Sequence, residues 1–330
     1  MVSASPGAEV GATAAESAEA AEVWLPIPPA QIEGLPAGLT YHFWDGDEEF
    51  PADPARCGFY VVPYMKGPVV AVRPLGEMPR LRVVQTLSAG VDHVSPALSR
   101  LPPGTVLCNA RGVHDASTAE LALALTLASL RELPAFVRAQ DAGEWRPGMY
   151  ESLADKTVLI VGYGGVGSAI EERLIPFEVA EVLRVARTER RAPRGLVHPL
   201  SRMPELLPHA DVVILCTPLT EETRGLAGTD FLARMRDGAL LVNVARGGVV
   251  DTKSLLAELS SGRLRAALDV TDPEPLPHGH PLWHAPGVLI SPHVGGPTSA
   301  FLPRAKRLLR AQLNRWAAGE PLEHTVAVAE

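Results

Sequence analysis

The sequence predicts an α/β protein with two doubly wound parallel-sheet lobes, and three observations predict it. Short apolar runs rich in β-branched residues alternate with helical patterns almost throughout. The strand series starts twice, once on each side of a long helical pattern at 116–140. The second series opens on "TVLIVGYGGVGSAIEERL", which reads as a buried strand, a glycine-rich turn and a helix start. A chain of 330 residues, 46% of them hydrophobic, is long and apolar enough for two ordinary domains.

The elements follow in order. Residues 1–22 are small, acidic and poor in bulky side chains, and read as a disordered tail without the basic start and apolar stretch of a signal peptide. "EVWLPI" (22–27), "TYHFWD" (40–45), "GFYVVPY" (58–64), "LRVVQTL" (81–87) and "GTVLCNA" (104–110) are strand candidates bounded by Pro, Gly or Asp. The helix at 116–140 has Ser117 or Asp115 as a cap, with Glu120 placed for a capping box on Ser117. Six further strands are expected in "KTVLIVG" (156–162), "EVLRVAR" (181–187), "ADVVILCTP" (210–218), "GALLVNVAR" (238–246), "LRAALDV" (264–270) and "GVLISPH" (287–293). A last helix at 299–320 has no strand after it and is expected to return to the first lobe.

Composition narrows the function classes. A net charge of −8 argues against a nucleic-acid partner, which needs a basic surface. No apolar run reaches the length of a membrane span. Cys57, Cys108 and Cys216 are far apart, odd in number and without metal-ligand spacing, so no metal site is expected and they read as structural thiols of a cytoplasmic protein.

The glycine turn points to a dinucleotide. Gly162 makes the turn, Gly164 lets backbone approach a pyrophosphate, and Gly167 lets the helix lie close to the strand. The N–H groups near Gly165 and Val166, at the helix N-terminus, would hold the phosphates. An acidic residue at the end of the next strand would bind the ribose hydroxyls of NAD. Here the sequence is "VARTERR", so Arg187 and Thr188 stand there, a guanidinium and a hydroxyl suited to a 2′-phosphate. NADP(H) is therefore the expected cofactor, with NAD(H) possible if the register shifts and Glu189 takes the position.

Three later strands end in reactive groups. Arg246 follows one, Asp269 closes another with Glu274 in the loop beyond, and His293 follows the last. Singly, each fits a surface ion pair, a solvated loop or a turn cap. Together, at the carboxyl ends of a parallel sheet, they offer a cation, a carboxylate and an imidazole. A cation can bind a substrate carboxylate and polarise a carbonyl, and an imidazole can exchange the hydroxyl proton near neutral pH.

With these residues the chain resembles the D-isomer-specific 2-hydroxyacid dehydrogenases, among them the glyoxylate/hydroxypyruvate reductases. The resemblance runs from "QTLSAGVDHV" at 85–94 to the end and rests on "VGYGGVG", "PLTEETRGL", "LVNVARGGVVD", "ALDVTDPEPLP", "PLW" and "LISPHVGG" in order. It implies that Arg246, Glu274 and His293 are catalytic and that Asp269 binds the carboxamide. It also implies that Thr217, Pro218, Val244, Ala245 and Gly295 line the nicotinamide or adenine side, and that amides at Ala89 and Gly90 hold the substrate carboxylate. A Rossmann cofactor domain at 113–297, inserted into a discontinuous flavodoxin-like substrate domain of 23–112 plus 298–330, and a homodimer are further implications. The reaction implied is reduction of a 2-oxo acid to a D-2-hydroxy acid. Tyr64 and Met65, after a strand of the first lobe, are candidate walls of the substrate pocket, and Trp283 either touches substrate or packs in the core. A phosphite dehydrogenase-like enzyme or a nucleotide-sensing, corepressor-like protein on the same fold are the alternatives.

Overall fold

The structure is a computed structural model that describes residues 22–329. The tail expected over 1–22 lies outside the described residues except for Glu22, which opens the first strand. The chain divides into two compact units, one holding the described residues up to Val113 and again from Ala300, the other spanning His114–Ser299.

The first unit contains strands β1 (Glu22–Leu25), β2 (Thr40–Phe43), β3 (Cys57–Val61), β4 (Val83–Gln85) and β5 (Val106–Cys108), and the short helix α1 (Gly67–Val72). Five of the six strands of its sheet run parallel in the order β2-β1-β3-β4-β5, as in a flavodoxin-like sheet, and a sixth joins at the β5 edge. The strands read as near-continuous apolar runs because both faces are covered. Trp24 and Tyr60 pack into one core layer, while Val23, Leu25, Phe59 and Val61 pack into the other.

The second unit begins with α2 (Asp115–Leu130) and α3 (Leu133–Asp141). It continues through β6 (Thr157–Val161), α4 (Gly165–Leu174), β7 (Glu181–Ala186), β8 (Arg190–Ala192), β9 (Gly195–Pro199), α5 (Met203–Leu206) and β10 (Val212–Leu215). The remaining elements are α6 (Thr229–Arg234), β11 (Leu240–Asn243), α7 (Thr252–Ser260), β12 (Arg265–Leu268) and β13 (Val288–Ile290). The sheet order is β13-β12-β11-β10-β6-β7-β9-β8. Counted without the β8 hairpin strand, this is the doubly wound dinucleotide-binding order with one added edge strand, and its direction reverses between β6 and β10. Leu159 and Val161 of β6 belong to one core layer and Val158 and Ile160 to the other. In the latter layer α2 buries Ala119, Ala122 and Leu123 with Ile170 and Leu174 of α4. Each fully buried large aliphatic there stabilises by about 1.5–3 kcal/mol.

Four expectations are corrected. The helix at 116–140 is two helices, because Pro134 can neither donate its backbone nor let its predecessors continue the turn, and Glu132 takes a left-handed φ of 52° at the break. Neither Ser117 nor Asp115 caps α2. Its N-cap is His114 without a side-chain cap, and Ser117 Oγ donates to the His114 carbonyl at 3.1 Å. No strand is expected between 187 and 210, yet Arg190 and Arg191 open β8, antiparallel to β9. The last helix, α8 (Phe301–Ala317), is followed by a strand after all, β14 (Thr325–Val328), antiparallel to β5 at the edge of the first sheet. α8 packs within the first unit, burying Ala305, Leu309 and Leu313 at i, i+4 and i+8.

Candidate active site

The glycine turn lies at the point where the second sheet reverses direction. Gly162 is the first residue past β6 and has φ +105°, which an L side chain rarely adopts. A Cβ there would stand 2.7 Å from the Cys216 carbonyl carbon and the Thr217 nitrogen, in the segment after β10. A Cβ on Gly167 would run into the Gly162 carbonyl oxygen, so α4 lies directly on the turn. A Cβ on Gly164 would meet nothing within 4 Å, so the approach to the turn is open on that side. Gly165 and Val166 are the first two residues of α4, with their N–H groups at its start. The Thr217 hydroxyl is buried and has no hydrogen-bond partner, which fits a wall awaiting a polar ligand, and Pro218 follows it. Tight glycines, an open helix N-terminus and an orphaned hydroxyl together suit a dinucleotide.

The turn is braced by a buried charge network absent from the sequence expectations. Tyr163, inside the turn, donates its hydroxyl to Glu171 of α4. Arg184 of β7 grips the same carboxylate through Nε at 2.8 Å and through Nη2. Arg190 of β8 donates to the Tyr163 carbonyl. Arg187 and Thr188, the first two residues past β7, are both exposed.

The three reactive residues gather within the second unit. His293 Nδ1 and Glu274 Oε1 are 2.5 Å apart. Burial raises the Glu274 carboxyl, but the hydrogen bond and charge of His293, the Thr271 backbone and the charge of Arg246 outweigh it and hold it below the usual glutamate range. A Cβ on Gly247 would overlap the Thr271 carbonyl, so only glycine lets the segment after Arg246 approach the loop that carries Glu274.

Two residues hold these loops in place. Asn243, at the end of β11, donates Nδ2 to the Arg246 carbonyl at 3.0 Å and accepts the Ala245 N–H at 3.0 Å. This fixes Val244, Ala245 and Arg246; Val244 itself donates to the Leu215 carbonyl at 3.1 Å. Asp269 is buried and accepts from Ser291 Oγ at 2.7 Å, Val294 N at 2.8 Å and Gly295 N at 2.9 Å. Its carbonyl accepts the His293 N–H at 2.8 Å. Thus Asp269 encloses His293 on both sides and stabilises its left-handed φ of 55°. Asn243 was missed because a polar residue closing an apolar strand carries no signal of what it will bond.

In the first unit, the Ala89 carbonyl accepts from Asn109 Nδ2 at 2.9 Å and the Gly90 carbonyl from Ser88 Oγ at 2.7 Å. Tyr64 stacks on Phe301 with ring centroids 4.2 Å apart, and Met65 is exposed with φ 59°. Trp283 is not a core residue: its ring is exposed and Nε1 donates to the Pro277 carbonyl at 2.9 Å, while Leu282 takes the buried position.

A doubly wound nucleotide-binding sheet with an Arg–Glu–His cluster past its later strands defines a dinucleotide-dependent dehydrogenase. The description "D-isomer specific 2-hydroxyacid dehydrogenase, NAD binding domain" matches residues 123–295, and the chain belongs to that family of oxidoreductases. It is 33% identical over 291 residues to human glyoxylate reductase/hydroxypyruvate reductase, covering 84% of this chain and 88% of that protein. A D-isomer specific 2-hydroxyacid dehydrogenase from Xanthobacter autotrophicus Py2, solved with NADPH and MES, superposes with a TM-score of 0.78. It is 30% identical, and the match covers 94% of this chain and 98% of that one. The NADPH-dependent glyoxylate/hydroxypyruvate reductase of Sinorhizobium meliloti, solved with NADP and malonate, gives 0.76 at 27% identity over 93% of this chain and 97% of that one.

Proposed function

We propose that this 2-hydroxyacid dehydrogenase is an NADPH-linked reductase of a short 2-oxo acid such as glyoxylate or hydroxypyruvate, forming the D-2-hydroxy acid. The observation that carries the reading is the cluster of Arg246, Glu274 and His293, with His293 Nδ1 committed to Glu274 at 2.5 Å. The nicotinamide, when bound, supplies the hydride. His293 holds the transferable proton at Nε2 and gives it to the substrate carbonyl oxygen. Glu274, kept ionised, orients the imidazole and balances its charge. Arg246 binds the substrate carboxylate and steadies charge building on the carbonyl oxygen. The amides of Ala89 and Gly90 are assigned to the same carboxylate, and Tyr64 and Met65 to the substrate's side chain.

The dinucleotide is assigned to Gly162, Gly164, Gly165, Val166 and Gly167 for its phosphates and to Arg187 and Thr188 for the 2′-phosphate. Thr217, Pro218, Val244, Ala245, Asp269, His293 and Gly295 are assigned to the rest. The guanidinium directly after β7 supports NADP(H), as do the relatives solved with NADPH or NADP. We also assign cytoplasmic location and a homodimer; Trp145 at 93% and Met149 at 100% exposure give the irregular segment after α3 an apolar surface suited to a second copy. Among the described residues no helix is long and apolar enough to cross a membrane.

A panel of 2-oxo acids, followed by the absorbance loss of NADPH and then NADH, tests the reading, with phosphite plus NADP⁺ or NAD⁺ run beside it. Turnover of small 2-oxo acids with NADPH, shifted toward NADH by Arg187→Asp, is expected. Oxidation with no acid overturns the reductase, and faster turnover with NADH at low cofactor overturns the NADP assignment.

A further inference from the structure

We infer that Asp115 is a fixed electrostatic brake on dinucleotide binding, seated against the phosphate end of the glycine turn. The inference rests on reading that turn as the pyrophosphate cradle. Asp115 is the first residue of α2 and Gly165 the first residue of α4. A Cβ on Gly165 would overlap Asp115 Oδ2 and stand 2.7 Å from its Cγ. The carboxylate thus fills the space that a side chain at 165 would need. Two helix N-termini converge on this one carboxylate, each with the partial positive charge of aligned peptide dipoles. Among the described residues no ion pair to Asp115 is found, so the two helix starts are the positive ends beside it.

The field of this carboxylate reaches across the turn. The Cys216 thiol, which donates to the Gly162 carbonyl at 2.8 Å, is pushed up to about 12 by burial and then by the charge of Asp115. Phosphates arriving from the open Gly164 side would use the N-terminus of α4 that Asp115 already occupies electrostatically. A fixed negative charge there weakens binding of a dianionic pyrophosphate and speeds departure of the spent dinucleotide, and product release limits turnover in many enzymes.

The test is Asp115→Asn, which removes the charge and keeps the shape. Fluorescence titration with NADPH and NADH at low and high salt is read beside the melting temperature. We expect both dissociation constants to fall about three- to tenfold at low salt, with the gain shrinking as salt screens the charge. Adenosine, which has no phosphate, should bind the two proteins equally. The melting temperature should not rise, because a carboxylate favoured by two helix ends has been removed. Tighter binding with equal or lower stability is a pair of signs that a purely structural residue would not give. Asp115→Ser, a second neutral variant suited to a helix start, should behave alike. Unchanged or weaker dinucleotide binding in both variants overturns the inference. If the wild-type protein binds neither dinucleotide, the cradle reading itself falls.

Discussion

Replacing Glu171 with Ala should destabilise the dinucleotide-binding unit more than any surface charge change. The Glu171 side chain is 5% exposed and that of Arg184 13%, so the pair is largely shielded from water. Glu171 accepts from Arg184 Nε at 2.8 Å, from Arg184 Nη2 and from the Tyr163 hydroxyl. Removing it strands a buried guanidinium, a change that costs about 3–5 kcal/mol in general. Arg184 Nη1 keeps its bond to the Val182 carbonyl at 2.9 Å, which places the expected loss near the lower end, about 3 kcal/mol. For a domain of this size that is roughly 6–12 °C in melting temperature. The assay is differential scanning calorimetry of the wild type, Glu171→Ala, and the double variant Glu171→Met with Arg184→Met. The double variant should recover most of the loss, since two apolar groups leave no charge unpaired. A drop below about 2 °C for the single variant, or a double variant no better than the single, would refute the claim that the pair is buried and mutually dependent.

Two further outcomes follow from the same structure. Burial raises the thiols of Cys57, Cys108 and Cys216, so all three should resist iodoacetamide at pH 8 in the folded protein and react fully in guanidinium; rapid native labelling of Cys57 would contradict its burial. Glu274→Gln should lower kcat about a hundredfold with little change in dinucleotide affinity. Because the Glu274 carboxyl is held below its ordinary value, the support it gives is complete above that value and is lost only as pH falls through the depressed one. The acid limb of wild-type activity that depends on Glu274 should therefore lie below the usual glutamate range, and a limb at or above that range would count against the pairing with His293.

Much of the second unit could be read from the chain because its signals are local. β6, Gly162, Gly164 and Gly167 form a continuous stretch in which Gly162 and Gly167 have steric reasons visible in the final geometry, while Gly164 leaves the approach to the turn open. Most strands of both sheets were legible as apolar runs because both faces are covered, which removes the alternation that makes other strands ambiguous. The hairpin of β8 and β9 was not, since "RRAPRGLVHP" carries charges and prolines where strands usually carry β-branched residues. β14 was missed for a related reason: it is a four-residue edge strand with Val328 exposed. Glu171 and Arg184 look like solvated charges in the sequence, and only the packing of α4 against β7 turns them into a buried pair. Among the candidate site residues, Arg246, Glu274 and His293 were visible as a chemical set. Asn243, which fixes the loop of Arg246, and Asp115, which fills the space beside Gly165, were set by tertiary approach and left no local signal.

The central claim is that His293, held by Glu274, delivers the proton in reduction of a 2-oxo acid while other residues hold the dinucleotide. The most direct measurement compares wild type with His293→Ala in single-turnover NADPH oxidation by glyoxylate and hydroxypyruvate, alongside NADPH affinity from fluorescence titration. The account predicts a fall in the single-turnover rate of about a hundredfold or more with NADPH affinity within roughly threefold of wild type. A variant that oxidises NADPH at nearly the wild-type rate, or that loses dinucleotide binding while the bound fraction still turns over normally, would contradict it.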